Sequence, residues 1–309
     1  MCNILITGAA GFLGFHLQQK LNANYKVTCI DNLQTSASKA RAKLVKNLIV
    51  ENIESNFIDR LNNKPELVIH LAAETGVGPS NENTSLYLQQ NVANTLNVLN
   101  QCRANKVKYF IYASSSSVYE PQDTPMSEDS PCSKHVSFYG TTKFLCEQLV
   151  RNFCYQNDMV AIGLRFFTAY GSFTRTDMAA YKFMEAISNG KEINLYDDGK
   201  IKRDFTHVSD IVTVIEKLIP KIMDEPVRTH HIFNVGSGQP TTTLEYASLI
   251  AEKLNKELLY TTSALPSNEL THTFCDAKKL ENYIGFKPSL PLEEGITEMV
   301  NWYLQDNYN

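Results

Sequence analysis

A glycine-rich turn near the N-terminus limits the fold of this chain more than any other feature. It carries Gly8, Gly11 and Gly14, follows the apolar segment CNILIT and precedes the helical pattern FLGFHLQQKL. The first glycine permits a tight turn, the second lets the backbone approach a pyrophosphate, and the third allows close packing of helix on sheet. Free N–H groups at the start of that helix favour an anion. The turn therefore predicts a strand–turn–helix unit for the phosphates of a dinucleotide, with an unliganded glycine turn as the alternative.

A carboxylate at the end of the next predicted strand narrows the choice of dinucleotide. Asp31 lies 23 residues after Gly8 and closes the segment VTCID. A carboxylate at this place accepts hydrogen bonds from both ribose hydroxyls of an adenosine and repels a 2′-phosphate. The sequence therefore favours NAD over NADP as the cofactor. Without the glycines, an N-cap or a solvated acid would be the simpler interpretation of Asp31.

Alternation of short apolar runs with longer helical patterns predicts the fold class. Such alternation is typical of βαβ units and a parallel sheet covered on both faces. We expect an α/β fold, a Rossmann-type doubly wound parallel sheet with a smaller, mostly helical C-terminal domain. The predicted strands are 2–7, 27–31, 48–50, 67–70, 109–114 and 160–164, the predicted helices are 12–23, 84–104, 139–156 and 172–200, and 205–218 and 232–235 are predicted to return to the sheet. This gives a cofactor domain at 1–170, with 205–238 returning to it, and a substrate domain at 171–204 and 239–309.

Composition excludes several classes of protein. With 29 Lys and Arg against 33 Asp and Glu, the formal net charge is -4, which does not fit a generally basic nucleic-acid binder. No apolar run approaches the roughly 18 residues that span a bilayer, and no signal peptide pattern follows Met1. The seven cysteines form no C-x-x-C, so we expect buried thiols, a reducing compartment and a cytoplasmic protein. The seven histidines show no ligand spacing, and we expect no metal; His230-His231 is predicted to open a strand.

The pattern Tyr-x-x-x-Lys occurs three times, and its context selects one pair. Tyr196/Lys200 runs through a turn and Tyr283/Lys287 contains a glycine, whereas Tyr139/Lys143 belongs to a credible helix, where residues four apart lie on one face. Tyr139 also lies 24 residues after Ser115, at the end of a predicted strand, where ligands of parallel sheets bind.

These residue types suit proton transfer at a hydroxyl group. A free tyrosine phenol titrates near roughly pH 10 and is a poor base at neutral pH, but a neighbouring ammonium and a nicotinamide cation favour the phenolate. The serine hydroxyl can bind the same substrate oxygen. The alternatives are a half-buried aromatic residue for Tyr139 and a solvated helix lysine for Lys143.

The ordered motifs of the chain resemble the extended short-chain dehydrogenase/reductase family, specifically the NAD-dependent sugar-nucleotide epimerases and dehydratases. The matching blocks are ITGAAGFLG, Asp31-Asn32, HLAAETGV at 70–77, Asn91-Val92, YASSSSVY at 112–119, YGTTK at 139–143, LRFFTAYG at 164–171, KRDFTHVSD at 202–210 and FNVGSG at 233–238. The resemblance implies that the catalytic residues are Ser115, Tyr139 and Lys143. The implied NAD site comprises Gly8, Gly11, Phe12, Leu13, Gly14, Asp31, Asn32, Asn52, Ile53, Leu71, Ala72, Ala73, Asn91, Tyr139 and Lys143. The implied substrate residues are Ser115, Ser116, Thr168, Arg175, Tyr196, Arg203 and Asn268.

Within this family, the residues after Ser115 favour C4 epimerisation over elimination. Dehydratases of the family usually place an acidic pair there, and this chain has Ser116 and Ser117. The segment 164–179 is most similar to UDP-glucuronate 4-epimerases, and Arg175 matches their candidate ligand of the sugar carboxylate. A surface ion pair is the alternative role of Arg175. UDP-glucose or UDP-N-acetylglucosamine remains an alternative substrate, dehydration or 4-keto reduction an alternative reaction, and NAD sensing without catalysis an alternative function.

Two predicted helices carry more apolar surface than one sheet covers. The helices at 84–104 and 139–156 are apolar on more than one face, which is typical of a helix-to-helix contact between subunits. The family resemblance implies the same homodimer, and a buried core is the alternative explanation. A nucleotide sugar is the expected partner, with no nucleic acid and no membrane.

Overall fold

The computed structural model describes residues 2–122, 125–266 and 270–306. Contacts group the chain into two compact units. The first comprises Met1–Glu120, Glu128–Phe166 and Val212–Phe233, and the second comprises Pro121–Ser127, Phe167–Ile211 and the chain from Asn234 onward. The return to the first unit thus begins at Val212, later than the expected 205. The predicted division into a cofactor domain and a substrate domain stays a prediction.

Strands and helices alternate along most of the described chain. The strands are β1 (Asn3–Thr7), β2 (Lys26–Asp31), β3 (Leu48–Val50), β4 (Leu67–His70), β5 (Tyr109–Ser115), β6 (Val160–Phe166), β7 (Thr168–Tyr170), β8 (Ile193–Tyr196), β9 (Lys202–His207), β10 (Thr229–Val235), β11 (Pro240–Thr242), β12 (Tyr260–Ser263) and β13 (His272–Thr273). The α-helices are α1 (Phe12–Leu21), α2 (Ser36–Ala42), α3 (Val77–Glu82), α4 (Thr84–Tyr87), α5 (Asn94–Ala104), α6 (Phe138–Gln156), α7 (Ala179–Ser188), α8 (Val208–Asp224), α9 (Thr243–Lys253), α10 (Lys278–Ile284) and α11 (Leu292–Asp306). A π-helix at Leu88–Ala93 joins α4 to α5, and short 3-10 turns lie at Ile58–Arg60, Ser116–Val118 and Asp197–Gly199.

A seven-stranded sheet organises the first unit. Its order is β10-β6-β5-β4-β1-β2-β3, and each pairing from β6 to β3 is parallel. Every residue of β4 and β6 is buried, as expected for strands covered by helices on both faces. Leu5, Val68 and Phe110 lie in the core together with Leu99 of α5 and Val150 of α6. The predicted Rossmann-type fold class is confirmed.

The second unit contains smaller sheets and its own core. In one sheet β9 pairs with β7, β11 and β13, and in the other β12 pairs with β8. A core that includes Met184, Tyr246 and Met299 joins α7, α9 and α11. The prediction that 172–200 is helical is wrong in part, because α7 covers only ten residues and β8 follows it.

The prediction that 205–218 returns to the large sheet is also wrong. β9 pairs within the second unit, and α8 begins at Val208. The segment is rich in β-branched residues, but its buried apolar side chains recur at helical spacing, at Ile211, Ile215, Leu218 and Ile222. By contrast, β10 runs through His230-His231, as predicted.

The cysteines and the helices can be compared with the expectations from composition. All seven cysteines of the described ranges are thiols outside any disulfide, and Cys29, Cys102, Cys146, Cys154 and Cys275 are buried. Across the described ranges, no helix combines the length and the apolar character needed to span a bilayer.

Candidate active site

The glycine turn between β1 and α1 has the tight geometry that its sequence predicts. Gly8 has a φ of +70°, and a Cβ there would lie 2.6 Å from the backbone nitrogen of Ala72. A Cβ at Gly11 or at Gly14 would lie 2.9 or 2.2 Å from the carbonyl oxygen of Gly8. No described side chain caps α1, whose N-cap is Gly11, so its first N–H groups are open to an anion. This cradle of backbone fits the pyrophosphate of a dinucleotide.

Asp31 joins the end of β2 to the glycine turn. Its Oδ2 accepts from the N–H of Ala10 at 3.0 Å, and its Oδ1 accepts from the N–H of Leu33 at 2.8 Å. Arg41 supports the same turn, because its Nε donates to the Ala10 carbonyl at 2.8 Å. A carboxylate oxygen has the capacity to accept more than one hydrogen bond. The buried carboxylate of Asp31 therefore retains capacity for ribose hydroxyls, which fits an NAD site.

The other predicted cofactor residues lie near the carboxyl ends of the same parallel strands. The N–H of Leu71, after β4, donates to Thr7 O at 3.1 Å, and that of Ala72 to Thr7 Oγ1 at 3.4 Å. Asn32 and Asn52 each accept, through Oδ1, the backbone N–H two residues ahead at 3.3 Å. The remaining members are Phe12 and Leu13 at the start of α1, Ile53 after β3, and Ala73 after β4. This edge is where ligands of doubly wound sheets bind.

Tyr139 and Lys143 lie one turn apart near the start of α6. Lys143 Nζ is 5.8 Å from the centroid of the Tyr139 ring and donates to the Ala113 carbonyl of β5 at 3.0 Å. Lys143 is 4% exposed, so it is not the solvated helix lysine of the alternative interpretation. Within the described ranges, the Tyr139 hydroxyl has no hydrogen-bond partner in the protein. A phenol beside a buried ammonium is a suitable arrangement for proton transfer.

The serines after β5 lie close to the start of α6. Ser115 Oγ accepts from the N–H of Ser117 at 3.1 Å and begins the short turn at 116–118. A Cβ at Gly140 would lie 2.1 Å from the Ser117 carbonyl oxygen. Only glycine permits this approach, and so the residue after Tyr139 brings its helix against the segment that carries Ser115 and Ser116.

The two other Tyr-x-x-x-Lys matches do not form such a pair. Tyr196 ends β8 and Lys200 follows a 3-10 turn. Tyr283 lies in α10, which ends at Ile284, so Lys287 is beyond that helix. The catalytic role of the Tyr139/Lys143 pair stays a prediction.

Asn91 lies in the π-helix and links two parts of the first unit. Its Oδ1 accepts from the N–H of Glu74 at 2.8 Å, and its Nδ2 donates to Glu74 O and to Thr142 Oγ1, both at 3.1 Å. Widened helix turns are frequent at functional sites. With its amide engaged in this way, Asn91 supports the segment after β4 and the helix of Tyr139, and a direct contact with a cofactor stays a prediction.

The predicted sugar and nucleotide residues of the second unit have varied surroundings. Thr168 lies in β7 opposite Phe205, and Tyr196 is 40% exposed. Arg175 Nε donates to Asp177 Oδ1 at 2.9 Å, and its Nη2 contacts the other carboxylate oxygen. Arg203 Nη1 donates to the carbonyls of Lys202 and Thr271, both at 3.1 Å. Asn268 lies outside the described residues.

Several residues that hold these groups have no role in the sequence interpretation. Asp204, beside Arg203, is fully buried and accepts from the N–H groups of Ser237, Gly238 and Cys275 at 2.8, 2.9 and 3.2 Å. The sequence feature that could have indicated this role is the position of Asp204, a charged residue, inside the short strand β9. Ser80 and Glu147 are also buried, and their partners are distant in sequence. No local pattern marks either of them.

Comparison with known proteins identifies the class to which this fold and site belong. Residues 4–236 match the model of the NAD dependent epimerase/dehydratase family. An uncharacterized protein of Methanocaldococcus jannaschii is 36% identical over 98% of this chain and 97% of its own length. UDP-glucuronate 4-epimerase 2 of Arabidopsis thaliana is 30% identical over 98% of this chain and 76% of its own length.

Solved structures give the same result in three dimensions. MoeE5 in complex with UDP-glucuronic acid and NAD is 31% identical, covers 98% of this chain and 99% of its own, and has a TM-score of 0.88. It has also been solved with UDP-glucose and NAD. UDP-glucuronic acid 4-epimerase from Bacillus cereus, in complex with UDP-glucuronic acid and NAD, is 27% identical with a TM-score of 0.90, and covers 98% of this chain and 99% of its own. UDP-N-acetylglucosamine 4-epimerase from Methanobrevibacter ruminantium M1 is 26% identical with a TM-score of 0.88, and covers 99% of each chain.

The chain belongs to the NAD-dependent epimerase/dehydratase family, and the resemblance derived from its motifs is confirmed. Its cofactor is NAD. The family match, the relatives and the neighbouring structures together indicate an NAD-dependent nucleotide-sugar 4-epimerase.

Proposed function

We propose that this enzyme interconverts UDP-glucuronate and UDP-galacturonate by inverting C4 of the sugar. The observation that carries the proposal is the Tyr139/Lys143 pair beside the end of β5. The two residues after Ser115 at this strand end are serines instead of an acidic pair. A general acid positioned to expel a hydroxyl group would favour dehydration, and Ser116 and Ser117 cannot provide it.

Each residue of the pair has a distinct part in the proposed reaction. Bound NAD supplies the hydride chemistry, as acceptor from C4 and then as donor to it. Tyr139 removes the proton of the C4 hydroxyl, and Lys143 stabilises the phenolate by its charge. Ser115 holds the same oxygen by a hydrogen bond. The 4-keto sugar then turns over about its phosphate linkage and presents the opposite face of C4 for return of the hydride, and Tyr139 gives the proton back to the C4 oxygen.

The other predicted residues bind and orient the reactants. The backbone of the glycine turn and the N-terminus of α1 hold the pyrophosphate of NAD, and Asp31 holds the adenosine ribose. Arg203 grips the diphosphate of the substrate because its guanidinium presents a planar fork to phosphate, and Tyr196 stacks on the base. Arg175 and Thr168 of the second unit bind the sugar carboxylate.

A neutral sugar is the second candidate substrate, and the Arg175–Asp177 contact favours it. A guanidinium that already holds a carboxylate of its own loop must exchange this partner to bind glucuronate. If the contact persists with substrate bound, UDP-glucose or UDP-N-acetylglucosamine fits the site better.

Product analysis with a panel of UDP-, dTDP- and GDP-sugars tests the proposal. We expect UDP-glucuronate to equilibrate with UDP-galacturonate without added reductant, and Tyr139→Phe to abolish the conversion while NAD stays bound. Accumulation of a 4-keto-6-deoxy sugar or net consumption of NADH would replace epimerisation by dehydration or reduction. Turnover at the wild-type rate in Tyr139→Phe would remove the assigned base.

The predicted homodimer has support in exposed apolar side chains near α5 and α6. Leu86, Leu88, Leu96 and Leu145 are each more than one third exposed. We propose that a second copy of the chain covers this patch. Light scattering should give a dimer for the wild type and a monomer for the variant Leu96→Glu/Leu145→Glu; a wild-type monomer contradicts the proposal.

The cytoplasmic location that we expect from the sequence stays a prediction.

A further inference from the structure

The N-terminus of α6, where Tyr139 lies, takes its hydrogen-bond acceptors from another helix. The first N–H groups of an α-helix have no partner within the helix and need acceptors elsewhere. The Ser137 hydroxyl accepts from the N–H of Gly140 at 3.1 Å, as an ordinary N-cap does. The two N–H groups before it, those of Phe138 and Tyr139, donate to Asn81 Oδ1 at 2.9 Å and to Ser80 Oγ at 3.0 Å. Thus α3 completes the cap of α6.

The Ser80 hydroxyl is held so that it accepts from Tyr139. Ser80 is fully buried, and its Oγ donates to the Val77 carbonyl at 2.6 Å. A hydroxyl has one proton and two lone pairs. Because the proton is used within α3, a lone pair is what faces the N–H of Tyr139. Loss of this acceptor would leave the half-buried N–H of Tyr139 without its partner.

Tyr87 contacts the other end of the Tyr139 residue, its ring. The two rings are in edge contact, with centroids 6.3 Å apart and an interplanar angle of 84°. Tyr87 is 2% exposed, and its hydroxyl donates to the Thr75 carbonyl at 2.7 Å. The hydrogen bond joins both ends of the segment 75–87. One stretch of chain therefore contacts the backbone of Tyr139 through Ser80 and its aromatic ring through Tyr87.

We propose that Ser80 is a positioning residue for the base, with Asn81 and Tyr87 as its supports. The inference rests on the proposed function, in which Tyr139 moves the C4 proton. A proton transfer needs its groups held within a fraction of an ångström. The N–H bond to Ser80 fixes the backbone of Tyr139, and this fixes the separation between the phenol and the Lys143 ammonium of the same helix. The segment 75–87 thereby sets the position of the Tyr139 phenol without contacting the reacting atoms.

The test compares Ser80→Ala with Ser80→Thr, which keeps the hydroxyl. We expect Ser80→Ala to lower kcat about tenfold, the effect of one neutral hydrogen bond, with KM unchanged. The acidic limb of the kcat–pH profile should move as well, because the phenol is displaced relative to Lys143. Ser80→Thr should restore both quantities.

Asn157→Ala provides a matched control on the same helix. Asn157 Nδ2 donates to the Phe153 carbonyl at 2.9 Å, at the far end of α6. Its loss weakens α6 by one side-chain hydrogen bond, roughly 27 Å from Tyr139 at 1.5 Å per residue. We expect no change in the pH profile of Asn157→Ala. A shift as large as that of Ser80→Ala would show general weakening of the helix and would overturn the proposal.

The remaining outcomes separate this inference from the proposed function. Inactivity of Tyr139→Phe together with a wild-type kcat and pH profile in Ser80→Ala removes only the role of Ser80. Full activity of Tyr139→Phe removes the base itself. If Ser80→Ala does not fold, Asn81→Ala at the exposed position decides: a smaller shift of the acidic limb in the same direction supports the proposal, and an unchanged profile overturns it.

Discussion

Glu147 of α6 and Arg165 of β6 form a bidentate ion pair that is almost completely buried. Arg165 Nε donates to Glu147 Oε1 at 2.8 Å and Nη2 to Oε2 at 2.7 Å, with the side chains 6% and 3% exposed for Arg165 and Glu147 respectively. Ser114 Oγ donates to Glu147 Oε1 at 2.5 Å. Glu147 lies one turn after Lys143, and Ser114 precedes Ser115. Glu147 therefore joins α6, the helix of the proposed base, to β6 through Arg165 and to β5, the strand of the proposed serine, through Ser114.

Removal of one partner of this pair should destabilise the protein strongly. We expect Glu147→Ala to lower the free energy of unfolding by about 3–5 kcal/mol, because Arg165 keeps a buried charge without its counterion. Chemical denaturation measures the change. The double variant Glu147→Met/Arg165→Met should recover most of it, since no charge then remains buried. Arg228→Ala is the control, because Arg228 and Asp158 form an ion pair with side chains 60% and 65% exposed, and such pairs contribute little. Equal losses in Glu147→Ala and Arg228→Ala would contradict the argument.

A methyl group at Gly14 should weaken NAD binding. Its Cβ would lie 2.2 Å from the Gly8 carbonyl oxygen, so the turn must open. We expect the Kd for NAD in Gly14→Ala to rise at least about tenfold, the equivalent of 1.4 kcal/mol. Isothermal titration of protein freed of nucleotide measures it. At Gly78 a Cβ would meet nothing within 4 Å, so Gly78→Ala should bind NAD as the wild type does. Unchanged affinity in Gly14→Ala would remove the glycine turn from the cofactor site.

Burial of His70 should make the protein less stable in acid. His70 bridges Thr7 Oγ1 at 2.7 Å and Thr95 Oγ1 at 3.1 Å. Burial, together with the Lys143 charge, lowers its pKa from 6.5 to about 3. Between these values the unfolded chain binds a proton that the folded chain does not bind, so stability falls as the pH falls through this window.

Replacement of His70 should reduce this acid sensitivity. The contribution of His70 is at most about 1.4 kcal/mol per pH unit. We expect His70→Asn to be less stable than the wild type at pH 7, because the bridge is lost, and to show a shallower dependence of unfolding free energy on pH between about 3 and 6.5. Denaturant titrations at a series of pH values measure the slope. Parallel slopes for the two proteins would show that His70 titrates normally.

The carboxylate role of Arg175 predicts a selective effect on substrate binding. Arg175→Gln should raise KM for UDP-glucuronate about tenfold or more, the effect of a charge-assisted hydrogen bond, with little change for UDP-glucose. Steady-state kinetics with both substrates give the comparison. Asp177→Asn should lower KM for UDP-glucuronate, since the guanidinium loses its competing partner. Equal effects of Arg175→Gln on both substrates would favour the neutral-sugar alternative.

Part of the candidate site could be predicted from the sequence, because it depends on the spacing of residues that are close together in the chain. The glycines at 8, 11 and 14, the acid at Asp31 and the Tyr139/Lys143 pair each depend on residues near one another in the chain. Short-range backbone geometry fixes such groups, so their pattern predicts them. The strand–helix alternation of the first 166 residues was sufficient for the fold class for the same reason.

Only the tertiary structure decided the contacts that hold these groups in place. The bond from the N–H of Tyr139 to Ser80 spans 59 positions, and that from Arg165 to Glu147 spans 18. The segment 205–218, predicted to return to the large sheet, instead runs into α8 from Val208, because its buried apolar side chains recur at helical spacing. Propensity and local pattern determine which elements form and where ligands approach a sheet. The burial of a hydroxyl or a charge depends on which elements pack against one another, and the spacing of residues along the chain does not specify those contacts.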